Sequence, residues 1–231
     1  MTSEDVIVIR RARAVLLDFD GPVCDAFAGY PASEVAQDML ASSSEAGVPI
    51  SEEAATMTDP MEVLRYLFKV APERQAESDR MLRDAEIFSV EKTSPTPGTI
   101  DFMEACRETG RSVMVVSNNS PEAVKVFFER RNITNYIYGI VGRNPSSPNL
   151  MKPNPYLLNL AIKKLDKTFS ECLMIGDSVT DIEVAKAVNV PVVGYANKPG
   201  KAEIFRSLGS DFVTQNMGEL ASLVRVENSY Q

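Results

Sequence analysis

The sequence predicts an α/β fold, a doubly wound parallel sheet carrying an inserted block of helices. Three observations carry this. Ala14–Leu17 is an unbroken apolar run, and the stretches 112–118 and 172–177 have apolar interiors that end in polar residues, the pattern of parallel strands covered on both faces. From residue 94 onward, helical and strand patterns alternate, which is how a parallel sheet with helices on both faces is written. Between residues 25 and 93, strand signals vanish for roughly seventy residues and helical periodicity takes over.

In order, the first strand runs into Asp18-Phe19-Asp20, where Gly21-Pro22 turns the chain. A helix is expected over 32–42. The next has Asp59 as N-cap, Pro60 at the first helical position and Glu62 placed for a capping box, with Met61, Leu64, Leu67 and Phe68 on one face. A polar amphipathic helix over 72–88 ends the insertion, and Ser94-Pro95-Thr96-Pro97-Gly98 reads as the linker back. A helix over 99–109 precedes the second strand at 112–118. The helix begun by Ser120-Pro121-Glu122 turns Val124, Phe127 and Phe128 inward. A third strand is expected over 136–141. Asn154-Pro155 starts a helix with Leu157, Leu158, Ala161 and Leu165 inward, and 172–177 is the fourth strand. A helix over 181–188, a strand over 191–195, a helix over 202–208, a strand at Phe212-Val213 and a helix over 217–224 close the chain. The domain division that follows is 1–24 with 94–231 as the α/β domain and 25–93 as the helical one.

Composition narrows the chemistry. The 231 residues are 44% hydrophobic, enough for a substantial core. The 32 acidic residues outnumber 24 Lys and Arg, and no basic run interleaves with aromatics, so nucleic acid is not an expected partner. No apolar run has the length to span a bilayer, and residues 1–13 are polar without a signal-peptide core, so no membrane association and a cytoplasmic location are expected. Cys24, Cys106 and Cys172 are scattered and odd in number, consistent with reduced thiols. With no histidine, Ser-His-Asp and Cys-His catalysis and His-based zinc sites are excluded. Carboxylates, Lys, Arg, hydroxyls and a hard metal remain.

In a sheet of this kind, ligands bind beyond the carboxyl ends of the strands. Asp18 and Asp20 end the first strand, Ser117 and Asn118 the second, Gly176-Asp177-Ser178 the fourth, and Lys152 follows the third. Two carboxylates as close as Asp18 and Asp20 repel unless a proton or cation intervenes. If the fourth strand lies beside the first, Asp18 and Asp177 share a divalent cation, and an oxygen-only donor set favours magnesium over zinc. Ser117 and the amides after it are candidate phosphate donors, and Lys152 a point charge between acids and anion. Acid, metal, Lys and hydroxyl suit phosphoryl transfer, where positioning and charge neutralisation dominate and an aspartate can be the nucleophile. Arg65, Lys69, Arg74 and Arg80 of the insertion are candidates to meet an anionic substrate, against a solvated helix face.

Asp18-Phe19-Asp20-Gly21, Ser117-Asn118, Lys152-Pro153 and Gly176-Asp177-Ser178-Val179-Thr180-Asp181 resemble, in order, the four motifs of the haloacid dehalogenase superfamily. The resemblance covers about residues 12–219. The insertion looks like the helical cap of the branch that includes phosphoglycolate phosphatase and β-phosphoglucomutase. It implies a Rossmann-like core, with Asp18 as nucleophile and Asp20 as acid and then base. Magnesium would be held by the Asp18 side chain, the Asp20 carbonyl and Asp177, with Asp181 in support. Ser117, Asn118 and Lys152 would bind the phosphoryl group. Within the family, an acid two positions after the nucleophile separates phosphate-ester chemistry from dehalogenation. The expected function is thus a magnesium-dependent phosphatase hydrolysing a small phosphorylated metabolite through an aspartyl-phosphate. The alternative is a sugar-phosphate mutase of the β-phosphoglucomutase type. A non-catalytic binding protein on the same core is a third reading, and the intact motif set counts against it.

Overall fold

The structure is a computed structural model and describes residues 3–226; the ends of the expected α/β domain, 1–2 and 227–231, lie outside the described residues. Six strands form one sheet: β1 (Ala14–Leu17), β2 (Ser112–Val116), β3 (Gly139–Val141), β4 (Cys172–Gly176), β5 (Val192–Tyr195) and β6 (Phe212–Thr214). Their order is β3-β2-β1-β4-β5-β6, and every neighbouring pair is parallel. From β1 the chain builds outward to β3 on one side and to β6 on the other. The reversal falls between β1 and β4, the switch point where open sheets leave a crevice. Leu17 pairs with Val115 on one side and with Ile175 on the other. The residues just past these strands therefore reach the same edge of the sheet.

Strand alternation divides the interior in two. Val15 and Leu17 join one apolar cluster with helices α1 (Ser3–Arg11), α5 (Thr99–Glu108), α6 (Pro121–Arg130) and α10 (Met217–Arg225). Ala14 and Leu16 join the other, with α7 (Tyr156–Leu165), α8 (Val179–Ala187) and α9 (Lys201–Ser207). Phe19 sustains the alternation past the strand. It is fully buried in the first cluster, edge-on to Phe127 at 5.3 Å between ring centroids, and so anchors the two acids that flank it. Truncating such a ring costs about 3–5 kcal/mol.

The insertion contains α2 (Ala32–Glu45), α3 (Pro60–Val70) and α4 (Gln75–Lys92). Asp59 caps α3 by accepting from the Met61 N–H at 2.8 Å, with Pro60 in the first turn, while Glu62 is exposed. These helices bury a third apolar cluster of Val35, Met39, Leu40, Val63, Leu64, Leu67 and Leu82, which the α/β part enters at Met151. Helix α4 belongs to two interiors. Leu82 lies in this third cluster, and Val90, two turns on, lies in the sheet's first cluster.

Four local departures from the sequence reading have simple causes. Helix α1 forms in the polar N-terminal stretch because it can bury Ile9 beside α10. β3 is confined to Gly139–Val141 because Thr134–Tyr136 makes a 3-10 turn before it. Helix α2 continues three residues past 42. Pro72 starts a separate 3-10 turn, so α4 begins at Gln75 and ends four residues past 88. Among the described residues, no helix is long and apolar enough to cross a membrane.

Candidate active site

The strand ends deliver their side chains to one cavity of about 340 Å³. Its lining includes Asp18, Asp20, Ser117, Asn118, Lys152 and Asp177, with Phe27, Asp59, Met61 and Arg65 from the insertion side. Of the four basic candidates in the insertion, only Arg65 reaches this cavity. Lys69 lines an adjoining cleft, Arg74 pairs with Glu77 and Arg80 is exposed.

Lys152 is the buried centre of charge. Its Nζ lies 2.8 Å from Asp18 Oδ1 and 2.5 Å from Asp181 Oδ1, and donates to the Val116 carbonyl at 3.1 Å. Burial works against its ammonium, but the two carboxylates outweigh that and hold its pKa above the ordinary lysine value. Asp181 is fully buried with both oxygens engaged. Oδ1 takes Lys152, and Oδ2 takes the Ser178 N–H and hydroxyl, closing a capping box at the start of α8. The acid of the helix's first turn is thus also the second anchor of Lys152.

Asp18 Oδ1 also accepts the Phe19 N–H at 2.8 Å. Its carboxyl is pushed well up by burial, then by Asp181 and Asp177, against the pull of Lys152. Asp20 is turned differently. Its Oδ1 accepts the Ala26 N–H at 2.8 Å, and burial raises its pKa to about 7. Asp177 is raised by burial, against Lys201, whose Nζ lies 2.6 Å from its Oδ2; Asn197 Nδ2 donates to the same oxygen at 2.9 Å.

The donor set fits a hard divalent cation. Oxygens of Asp18, Asp177 and Asp181 lie within 4.8 Å of one another. Asp18, Asp20, Asp177 and Asp181 set four carboxylates against the ammonium groups of Lys152 and Lys201, an excess of two negative charges when all are ionised. Burial first, and the neighbouring carboxylates after it, raise the carboxyls of Asp18 and Asp177, and a bound cation would relieve both.

Ser117 and Asn118 stand at the end of β2, but not as free donors. The Ser117 hydroxyl donates to Asn119 Oδ1 at 2.9 Å and its Oγ accepts the Asn119 N–H at 3.1 Å. The Asn118 side chain ties down Lys152, accepting its backbone N–H at 2.7 Å and donating to its carbonyl at 3.2 Å. The Ser120 N–H is taken by Glu86. The sequence reading offered all the amides after Ser117 to a ligand; the Asn119 and Ser120 amides are already committed, which leaves that of Asn118.

Sequence reasoning missed Asn197 and Lys201, although both follow the end of β5, where the strand-end rule points. It also missed Glu86, Asp79 and the burial of Arg143. Glu86 and Asp79 lie in a helix polar enough to read as solvated, but they share a buried stripe with Leu82 and Val90.

A profile of the haloacid dehalogenase-like hydrolases matches residues 12–189. The phosphoglycolate phosphatase of Vibrio parahaemolyticus is 28% identical over 130 residues, 56% of this chain and 56% of that protein, so the match spans about half of the relative's length. The phosphoglycolate phosphatase of Rhodospirillum rubrum is 27% identical over 200 residues, 81% of this chain and 82% of that protein. In fold, the chain is similar to CbbY from Rhodobacter sphaeroides, solved in complex with phosphate, with a TM-score of 0.69 at 18% identity over 90% of this chain and 96% of the other.

Proposed function

Because the chain belongs to the haloacid dehalogenase-like hydrolases, we propose that it is a phosphatase that hydrolyses a small phosphorylated metabolite, with magnesium as its cation, in the cytoplasm. Residues 1–24 and 94–231 carry the reacting groups, and 25–93 form the helical cap over them.

The observation that carries this reading is that Asp18 and Asp20 line one cavity with different partners. Asp18 is held by Lys152 beside Asp177 and, among the described residues, takes no donor on its second oxygen. Asp20, away from Lys152, has a carboxyl near neutrality, the range in which one group serves as both acid and base. Asp18 attacks phosphorus while Asp20 gives its proton to the departing ester oxygen. Asp20 then takes a proton from water, which attacks the aspartyl-phosphate, releases inorganic phosphate and restores Asp18. The Asn118 N–H holds a phosphoryl oxygen as it stands; Ser117 joins it by turning its O–H away from Asn119 Oδ1, and Lys152 acts through its charge, since its three N–H groups already serve Asp18, Asp181 and the Val116 carbonyl. Asp18, the Asp20 carbonyl and Asp177, with Asp181 in support, would hold magnesium, which when bound would supply charge neutralisation at the phosphoryl group. Arg65 in the lining, together with relatives named phosphoglycolate phosphatase, supports a short phosphorylated acid as the first compound to try.

The test is a screen of phosphorylated metabolites with magnesium, following both phosphate release and isomerised products. Release from one small ester well above the rest is expected. No release from any ester overturns the reading, and isomerisation without release replaces it with the mutase.

A further inference from the structure

One buried acid of helix α4 reaches the strand end where the phosphoryl group is expected. Glu86 has no solvent exposure. Its Oε1 accepts from Asn119 Nδ2 at 3.0 Å and from Arg143 Nη1 at 2.8 Å. Its Oε2 accepts the Ser120 N–H at 3.0 Å and Arg143 Nη2 at 3.2 Å. Arg143, also buried, spends its Nε on Asp79 at 2.7 Å, two turns earlier in α4, and its Nη1 also donates to the Asn118 carbonyl at 3.0 Å. Asn118, Asn119 and Ser120 are thus each held by Glu86 or by its arginine partner, and Ser117 through Asn119.

The chemistry of the groups makes this arrangement directional. A carboxylate only accepts, so Glu86 must face the amino end of the Asn119 amide. That turns the carbonyl end toward Ser117, whose Oγ is then pinned between Asn119 Oδ1 and the Asn119 N–H. The arrangement is a costly way to dock a helix. Two acids and one arginine are withdrawn from water, where apolar packing would hold α4 at no desolvation cost. What the charges add is a fixed position for the loop. Helix α4 is able to serve as the reference because it is continuous between the insertion's apolar cluster and the sheet's own.

We infer that Glu86 is a positioning residue for catalysis: through Asn119 and Ser120 it sets where the Asn118 N–H meets the phosphoryl oxygens and where Ser117 Oγ stands, held by the Asn119 N–H when its proton turns from Asn119 Oδ1 to the phosphoryl group, so the insertion helps to place the reacting groups. This rests on the phosphatase reading above.

The experiment compares Glu86→Gln, Asp79→Asn and Asn119→Ala with the wild-type chain. It measures kcat and KM for p-nitrophenyl phosphate, inhibition by inorganic phosphate, and Tm. Glu86→Gln should lower kcat by about 10²-fold, the scale of a small misplacement of reacting groups, and weaken inhibition by phosphate. Asp79→Asn, which touches Arg143 but not the loop, should lower Tm and leave kcat near wild type. Asn119→Ala cuts Glu86 off from Ser117 with both Arg143 ion pairs intact, so it should reproduce the kcat loss even if Glu86→Gln does not fold. Equal kcat losses in the Glu86 and Asp79 variants, or wild-type kcat and phosphate inhibition in Asn119→Ala, would overturn the inference and leave the network as a helix dock. A wild-type chain inert to every ester and to inorganic phosphate overturns the phosphatase reading itself, and this inference with it.

Discussion

Gly21 packs against the carboxylate of Asp177: a methyl group built at Gly21 would lie 2.4 Å from Asp177 Cγ. The backbone there has φ +98°, a region that residues with a Cβ avoid. The turn after the two acids of β1 therefore brings the chain up against the acid that ends β4, and only a hydrogen fits between them. Gly21→Ala should displace Asp177, lower stability by about 1–3 kcal/mol and raise the magnesium concentration needed for activity. Denaturant unfolding and a magnesium titration of turnover check this. A variant with unchanged magnesium dependence would mean that Asp177 does not hold the cation.

Asp18→Asn keeps the shape of the side chain and removes the attacking charge. Turnover should fall by at least about 10³-fold, the scale for loss of a nucleophile, in a protein that still unfolds cooperatively. Lys152 keeps Asp181 as a partner in that variant, so its buried ammonium is not stranded. Near-normal turnover would show that Asp18 does not attack.

Removal of the cation should be felt through protons. The Asp20 carboxyl titrates near 7 when folded against 3.8 as its ordinary value, so the folded chain retains a proton that the unfolded chain has released between those limits. A raised carboxyl contributes stability that is present below about pH 4 and lost as pH rises through about 7. Asp18 and Asp177 are shifted in the same direction. Magnesium must displace the protons of Asp18 and Asp177, whose carboxylates hold it, while Asp20 offers its carbonyl and keeps its proton, so its stabilising effect on Tm should be larger near pH 8 than near pH 5, with protons released on binding. Chelation should abolish turnover, and magnesium should restore it. Tm with and without magnesium at both pH values, and calorimetry in two buffers, provide the readout. An equal gain at both pH values would contradict the assignment, as would full activity in excess chelator.

Much of this was legible in the sequence, because parallel strands covered on both faces must be apolar runs and because such sheets gather polar groups at one edge. Those two rules brought together Asp18, Asp20, Ser117, Asn118, Lys152 and Asp177 without a structure, and the family resemblance added Asp181, which lies in the first turn of α8. Applied to the end of β5, the second would also have reached Lys201. Glu86, Asp79 and Arg143 were hidden for another reason. Charged residues on a polar helix read as solvated, and only tertiary packing reveals that two acids of α4 face inward onto one arginine. Helix α1 was likewise invisible, since its stability comes from the α10 surface it covers rather than from its own pattern.

The last prediction concerns which part of the chain chooses the substrate. The strand-end groups see only the phosphoryl group, which every candidate substrate shares, so they bind without discriminating. The leaving group must be sensed by what lies over it, and Asp59, Met61 and Arg65 at the start of α3 line the cavity from the insertion side. Exchanging the whole of 25–93 for the cap of a related phosphatase would remove Glu86 and Asp79 and leave Arg143 buried without its carboxylates, at a cost of about 3–5 kcal/mol. The exchange that isolates specificity stops short of α4 and replaces 31–74. In that chimera, the ranking of kcat/KM among phosphate esters should follow the donor of the segment, with Asp18 and magnesium still essential, while the full exchange should fold poorly unless Arg143 is replaced as well. A folded 31–74 chimera that keeps the original ranking would move specificity to the α/β part. The segment to test is then 146–150, which faces Arg65 and Lys69 across the adjoining cleft.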